Sequence, residues 1–399
     1  MLGDKRFLQS IQARNILSFG PDTPHLPLLA LNVLIGPNGS GKSNLIELIS
    51  LLKSSPGNLV EPVHSGGGIG EWLWKGVFPQ QPAHLEIVAG FPQGKMPLRH
   101  RLALNMVGQR AELTDEAIEN ERPQSARDPD VFFYYRYQGG RPVLNTAIKG
   151  SKSKRELRRE DLPPDQSVLS QRKDPDLYPE ITFLGREYAR IRFFRDWSFH
   201  RGSKTRTPQL ADSADDFLFE DASNLALVLN NIIHQPGGRA RILEALKDAD
   251  GAIDDLTINL KGGTVQLFLH YSGLATPVPA SRLSDGTLRY LAILSILCHS
   301  EPPPLVCLEE PELGLHPDLL PRLANLLVDA SHRMQLIVTT HSDILVDALS
   351  QTPEAVVVCE KHDGKTTMTR RTAAELQAWL KDYGLGQLWR SGEIGGNRW

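Results

Sequence analysis

The 399-residue chain has only three cysteines, Cys298, Cys307 and Cys359. No two of them stand at CxxC spacing, which excludes zinc ribbons, thiol-redox motifs and a disulfide framework. All three lie in apolar stretches, where a thiol acts as a small buried hydrophobe. Such cysteine usage fits a reducing, cytoplasmic setting. Long hydrophobic runs are also missing, and no segment reaches the roughly 18 apolar residues of a membrane-spanning helix. Met1–Phe7 carries charges with no apolar region behind them, so no secretory leader is expected. A strong excess of one charge is absent as well. The net charge of −3 excludes a wholly basic nucleic-acid coat protein but leaves room for a local basic patch. There is no internal repeat and no heptad run. What remains is globular: with 40% hydrophobic residues the chain is too apolar to be disordered. Its length suits two or three domains, or one large domain with an insertion.

Phe7–Phe19 reads as a strand with a turn, and Leu26–Ile35 as a buried strand entering a glycine-rich loop. Ser43–Leu52 places apolar residues at helical spacing. Residues 54–82, with His64–Gly70 in the middle, read as a flexible loop, because the glycines lack the strand–loop–helix context of a dinucleotide fingerprint. Leu85–Phe91, Leu98–Val107 and Val131–Gln138 read as strands, and 149–180 as loop. Residues 213–249 look helical, and Ile258–Tyr271 suggests two strands around Gly262-Gly263. From 281 onward the helices Ser284–Leu297, Leu319–Ser331 and Asp343–Ser350 alternate with the strands Leu305–Leu308, Gln335–Thr339 and Ala355–Cys359. That alternation implies a parallel sheet.

Four short motifs carry chemistry. Gly36-Pro-Asn-Gly-Ser-Gly-Lys42-Ser43 matches G-x-x-x-x-G-K-[ST] and sits between a strand and a helix, the context that confirms a P-loop. Gly36, Gly39 and Gly41 let backbone N–H groups turn inward onto phosphate. Lys42 places a charge by the β- and γ-oxygens, and Ser43 offers its hydroxyl to Mg²⁺. Asn38, Ser40 and Asn44 complete the candidate nucleotide loop. The second motif, Pro304–Pro311, is an apolar strand ending in Glu309-Glu310, as a Walker B element requires. Glu309 would act on Mg²⁺ and Glu310 on the attacking water. Third, Ser284, Gly286 and Thr287 open a helix, either as an ordinary N-cap or as an anion contact. Fourth, His341 follows the strand Gln335–Thr339 and either serves structure or reaches a γ-phosphate.

In this order the motifs resemble the ABC-type ATPase heads of the RecF, SMC and OLD group. They are most similar to stand-alone RecF-like ATPases of the AAA group without a coiled coil. The phrases GPNGSGKSN, RLSDGTLRYLAIL, LEEPELGLHP and IVTTHS carry the resemblance, which covers residues 8–53 and 281–360 and takes in the closing GEIGGNRW. It implies an α/β P-loop NTPase of ABC-head type, with a mixed sheet, flanking helices, extra antiparallel strands and a helical or irregular insertion. Residues 1–110 and 255–399 would form the two parts of the head, and 111–254 the insertion. ATP and Mg²⁺ are the implied cofactors, and a homodimer with ATP at its interface the implied assembly. Ser284, Gly286 and Thr287 would then contact the γ-phosphate of ATP held by a second subunit. Glu310 would be the catalytic carboxylate, Pro311–His316 the D-loop and His341 the switch histidine. Two positions depart from the commoner pattern. Asp285 stands where transporters usually carry Gly, and Glu309 where Asp is usual at the metal position. A Q-loop glutamine stays open among Gln80, Gln81 and Gln171.

The implied function is an ATP-driven switch in DNA repair, recombination or anti-phage defence, acting with DNA or with an effector encoded nearby. A transporter nucleotide-binding subunit is the first alternative. Lys42 and Ser284 are separated by more than half the chain, which argues against it. An OLD-type nuclease is the second; the stretch after His341 is short for a Toprim domain, so any nuclease would be a separate chain. Residues 149–206 hold 15 Lys and Arg against 9 Asp and Glu, opposite in sign to the rest. Tyr188, Phe193, Phe194, Trp197 and Phe199 interleave with the second half of that segment. It reads either as a nucleic-acid surface with stacking aromatics or as core with a solvated basic face.

Overall fold

The computed structural model describes residues 6–76, 81–123, 130–138, 141–148, 151–156 and 165–396. The chain divides into two compact units. The first comprises 1–191, 357–371 and 394–399; the second comprises 192–356 and 372–393.

The first unit is built on an eight-stranded antiparallel sheet. In spatial order its strands are Leu26–Pro27, Leu8–Arg14, Ala83–Ala89, Leu98–Val107, Arg110–Asn120, Phe133–Gln138, Arg141–Ile148 and Ser151–Glu156. Alternation sets its faces, since successive side chains point to opposite sides. Leu98, His100 and Leu102 go inward with Ile87 and Ile118, and the helix Pro179–Ala189 covers them with Ile181, Leu184 and Tyr188. The buried His100 meets the Tyr188 hydroxyl at 3.3 Å and Glu116 Oε1 at 3.1 Å, so the polar atoms of this core satisfy one another. On the opposite face the buried Glu119 carboxylate accepts from Arg99, Arg101 and Arg136. A second group of strands carries the phosphate loop. Leu31–Ile35, buried at every position, lies beside Val356–His362, which pairs antiparallel with Lys365–Arg370.

In the second unit, Arg192–Phe194, Leu305–Glu309 and Gln335–Thr339 form adjacent parallel strands in that order. All five residues of Gln335–Thr339 and the first four of Leu305–Glu309 are buried, the pattern of a sheet covered on both faces. The helices Asp285–Leu297 and Leu320–Ser331 flank it. A smaller antiparallel sheet joins Gln209–Leu210, Thr264–Tyr271 and Ile253–Lys261, with Val278–Pro279 added to the middle strand. The helices Leu225–His234 and Gly238–Ala249 complete the unit.

Several local expectations change. Residues 54–82 contain two short helices, Glu61–Ser65 and Ile69–Trp72, whose Val63, Ile69 and Trp72 are buried. Three apolar anchors fix a segment that its glycines made look loose. Residues 149–180 include the strand Ser151–Glu156 and the helix Val168–Gln171. Arg110–Asn120 is an eleven-residue strand that charge alternation concealed, with Glu116 and Glu119 both buried. Helix begins at Leu225 rather than in 213–224, where Asn224 folds the chain back by hydrogen bonds to the Ala214 and Phe217 carbonyls. The cysteines are buried as expected. Burial pushes the Cys298 thiol up to about 11 and Cys359 up to about 12, which leaves both inert as nucleophiles.

Candidate active site

The phosphate loop lies in the first unit. Strand Leu31–Ile35 ends at Gly36, and helix Lys42–Ser54 starts after Gly41. That helix buries Leu45, Ile46, Leu48, Ile49, Leu51 and Leu52 while its first turn stays at the loop. Asn38, Gly39 and Ser43 are exposed; Ser40 and Lys42 are buried. Lys42 Nζ donates to the carbonyls of Gly36 at 2.7 Å and Pro37 at 3.1 Å, so the ammonium curls over the loop that a phosphate would occupy. Ser40 Oγ is buried without a hydrogen-bond partner among the described residues. An orphaned hydroxyl inside a glycine loop fits an anion that has yet to arrive. Asn44 takes a different part, donating to Ser18 Oγ at 2.7 Å. The Thr366 hydroxyl lies 2.6 Å from Ser18 Oγ and 2.9 Å from the Ser40 carbonyl. Ser18 and Thr366 thus brace the loop from behind, and no sequence motif marked either.

The acidic motif, the signature segment and the histidine lie in the second unit. Glu309 closes its strand with Arg195 Nε 2.8 Å from Oε1. Arg195 follows the neighbouring parallel strand and lies over the Phe193 ring. Glu310 adopts φ +45°, unusual for a residue with a side chain, and its N–H donates to the Thr339 carbonyl at 3.0 Å. This turn brings Glu310 Oε1 within 3.7 Å of His341 Nε2. Glu312, which falls within Pro311–His316, holds the histidine's backbone. Its Oε1 accepts from the His341 N–H at 3.0 Å and from the Thr340 hydroxyl at 2.5 Å. Both carboxylates and the histidine therefore stand at the C-terminal ends of parallel strands, where open α/β sheets bind ligands.

Ser284 caps the helix Asp285–Leu297, its Oγ accepting from the Thr287 N–H at 3.0 Å. A Cβ on Gly286 would stand 2.9 Å from the Gly314 carbonyl, so only glycine lets the Gly314 backbone approach this helix so closely. A cavity of about 550 Å³ opens beside them, lined by Leu246, Ser284, Thr287, Tyr290, Leu315 and His316 among others.

Of the glutamines considered, Gln80 lies outside the described residues, Gln81 Oε1 accepts from Asn15 Nδ2, and Gln171 pairs with Gln166. In the basic segment Tyr188, Phe193, Phe194 and Phe199 are buried and not available for stacking, while Trp197 is half-buried. Lys149, Arg158 and Arg159 lie outside the described residues.

The chain matches, over residues 31–347, the family described as "AAA domain, putative AbiEii toxin, Type IV TA system". A search of curated proteins finds no match. Among solved structures it is similar to an Smc head bound to the C-terminal winged-helix domain of ScpA, at 14% identity and TM-score 0.56. That likeness covers 92% of this chain and 99% of the other. It is also similar to the Pyrococcus furiosus Smc head domain with an extended coiled coil, bound to the C-terminal domain of ScpA. There the identity is 12%, the TM-score 0.57, and the coverage 94% and 99%. At these identities the likeness shows the fold alone, that of the Smc heads, as the motifs implied. Among the described residues no helix is long and apolar enough to cross a membrane.

Proposed function

Because the chain belongs to the AAA-domain family matched over residues 31–347 and is a P-loop ATPase of SMC-head fold, we propose that it is an ABC-type switch that hydrolyses ATP within a homodimer. Gly36, Asn38, Gly39, Ser40, Gly41 and Lys42 bind the triphosphate of one subunit. Ser284, Gly286 and Thr287 of the other subunit close on its γ-phosphate. Ser43 and Glu309 would hold Mg²⁺, which would neutralise charge on the phosphate oxygens. Glu310 orients and deprotonates the attacking water, and His341 holds that carboxylate and the phosphate in register. Asn44 acts on the loop rather than on nucleotide. The switch works in the cytoplasm, on DNA in repair or in defence against phage, directly or through an effector encoded nearby. The SMC-head likeness favours this reading over a transporter subunit.

The observation that carries the proposal is the Glu310–His341 approach at the strand ends, one residue beyond the carboxylate held by Arg195. An amide in place of Glu310 cannot accept a proton from water. Glu310→Gln is expected to retain nucleotide, to lose turnover by about 10²–10⁴-fold, and to accumulate as an ATP-held dimer on size exclusion. Wild-type turnover in this variant overturns the assignment.

A further inference from the structure

Arg206 is one of the fifteen cations of the basic segment, yet it does not face solvent. It ends a short 3₁₀ turn, Lys204–Arg206, and is 6% exposed. Its guanidinium reaches the loop before the signature helix. Nε donates to the Phe199 carbonyl at 2.7 Å. Nη1 donates to the carbonyls of Leu283 at 2.6 Å and Ala280 at 3.3 Å, with Ser281 O at 3.5 Å. Nη2 pairs with the Asp285 carboxylate. Two of these acceptors, the Leu283 carbonyl and the Asp285 carboxylate, lie immediately before and after Ser284. One planar fork therefore ties the backbone before, and the side chain after, the residue proposed to meet the neighbour's phosphate.

A second contact grips the same helix. Arg289, one turn further on, donates Nη2 to the Trp197 carbonyl at 2.9 Å and lies over the rings of Trp197 and Phe199. The segment from Trp197 to Arg206 thus holds the start of the signature helix at two points, one turn apart. Asp285, the residue that departs from the transporter pattern, is one of the acceptors. It is the only carboxylate in the Arg206 contacts given above.

We propose that Arg206 is a positioning residue that orients Ser284 and Gly286 toward the nucleotide of the second subunit. The proposal rests on the reading above, in which the signature segment acts in trans. Lysine keeps the charge but is a point donor that cannot span Phe199 O, Leu283 O and Asp285 together. Arg206→Lys should therefore cut turnover at least about tenfold while the affinity for an ATP analogue stays within about twofold of wild type.

The test is complementation. Arg206→Lys mixed in equal amounts with Lys42→Ala forms heterodimers in which the intact P-loop of the first faces the intact signature of the second. Half the dimers are mixed and each has one working site, so turnover should recover to about a quarter of wild type. A purely structural role inside its own subunit gives no recovery. Lys42→Ala with Ser284→Arg is the control. If the control recovers and the Arg206→Lys mixture does not, Arg206 is not a positioning residue. If the control fails with mixed dimers demonstrated, the trans reading falls, and the proposal with it. Should Arg206→Lys fail to fold, Asp285→Asn, with an exposed side chain, carries the same test. A loss of turnover rescued by Lys42→Ala supports the proposal; wild-type turnover, or a loss without rescue, overturns it.

Discussion

Alanine at Gly36 and alanine at Gly39 should have unequal consequences. Both glycines hold positive φ, +142° and +78°, which a Cβ disfavours. The space around them differs. A Cβ at Gly36 would lie 2.1 Å from the Cys359 carbonyl oxygen, whereas one at Gly39 meets nothing within 4 Å. That carbonyl belongs to the buried strand Val356–His362, so it cannot swing aside as the end of a flexible side chain would. The backbone conformation costs about 1–3 kcal/mol at either position. Overlap in a packed site adds about 1–3 kcal/mol at Gly36 alone. Gly36→Ala should therefore destabilise by about 2–6 kcal/mol and Gly39→Ala by about 1–3 kcal/mol. A nucleotide effect accompanies the difference, because Lys42 Nζ is anchored on the Gly36 carbonyl and moves with it. Thermal unfolding combined with titration of a fluorescent ATP analogue reads both quantities. Gly36→Ala should melt lower than Gly39→Ala and bind at least about tenfold more weakly, the equivalent of about 1.4 kcal/mol. Equal melting and equal affinity in the two variants would refute this account of the loop.

Mg-ATP at about 100 times its Kd should stabilise the wild type by about 2.7 kcal/mol, seen as a rise in Tm of several degrees; Lys42→Ala should abolish the rise, and a rise that persists removes Lys42 from the site. Arg195→Met frees Glu309 from a competing cation, so nucleotide-dependent Mn²⁺ binding, followed by electron paramagnetic resonance, should tighten; unchanged binding separates Arg195 from the metal position. Burial holds the His299 imidazole below its ordinary 6.5, so the unfolded chain takes up a proton before the folded one does, and stability complete above about pH 6.5 is lost as pH falls below it. The urea midpoint should accordingly drop less between pH 7 and 5 in His299→Gln than in wild type, and parallel slopes would show that this histidine does not contribute.

The parts of the fold legible in the sequence were those where one physical demand dominates. Leu31–Ile35 and Gln335–Thr339 are buried at every position, and each carries an apolar run, Val33–Ile35 and Leu336–Val338. The helix Asp285–Leu297 announces itself by a Ser cap and an apolar run. Arg110–Asn120 failed to announce itself because its inward positions include Glu116. That carboxylate is satisfied by His100, the Ser167 hydroxyl and the Val168 N–H, the last two more than fifty residues away in sequence. A buried acid with distant partners looks like a solvated one until the partners are placed. The same holds for residues 61–72, where Trp72 and Val63 outweigh the glycines around them.

The candidate site divides along similar lines. Residues whose roles follow from backbone geometry at a strand end stood out by type and spacing: the glycines and Lys42 after one strand, Glu309 and Glu310 after another, His341 after a third. Residues that act by reaching across the fold did not. Ser18 and Thr366 are separated by most of the chain and meet behind the phosphate loop. Arg195 and Arg206 belong to the basic run 149–206, whose charge and interleaved aromatics are two signs of polyanion contact. Their partners decide otherwise. Arg195 faces Glu309, and Arg206 is enclosed by carbonyls and Asp285, so neither guanidinium is an uncommitted charge for nucleic acid. Net charge over a segment registers cations and anions alike but not how far each has been neutralised by groups elsewhere in the chain. A buried, multiply bonded arginine contributes shape to a site, and that contribution becomes visible only with the acceptors in view.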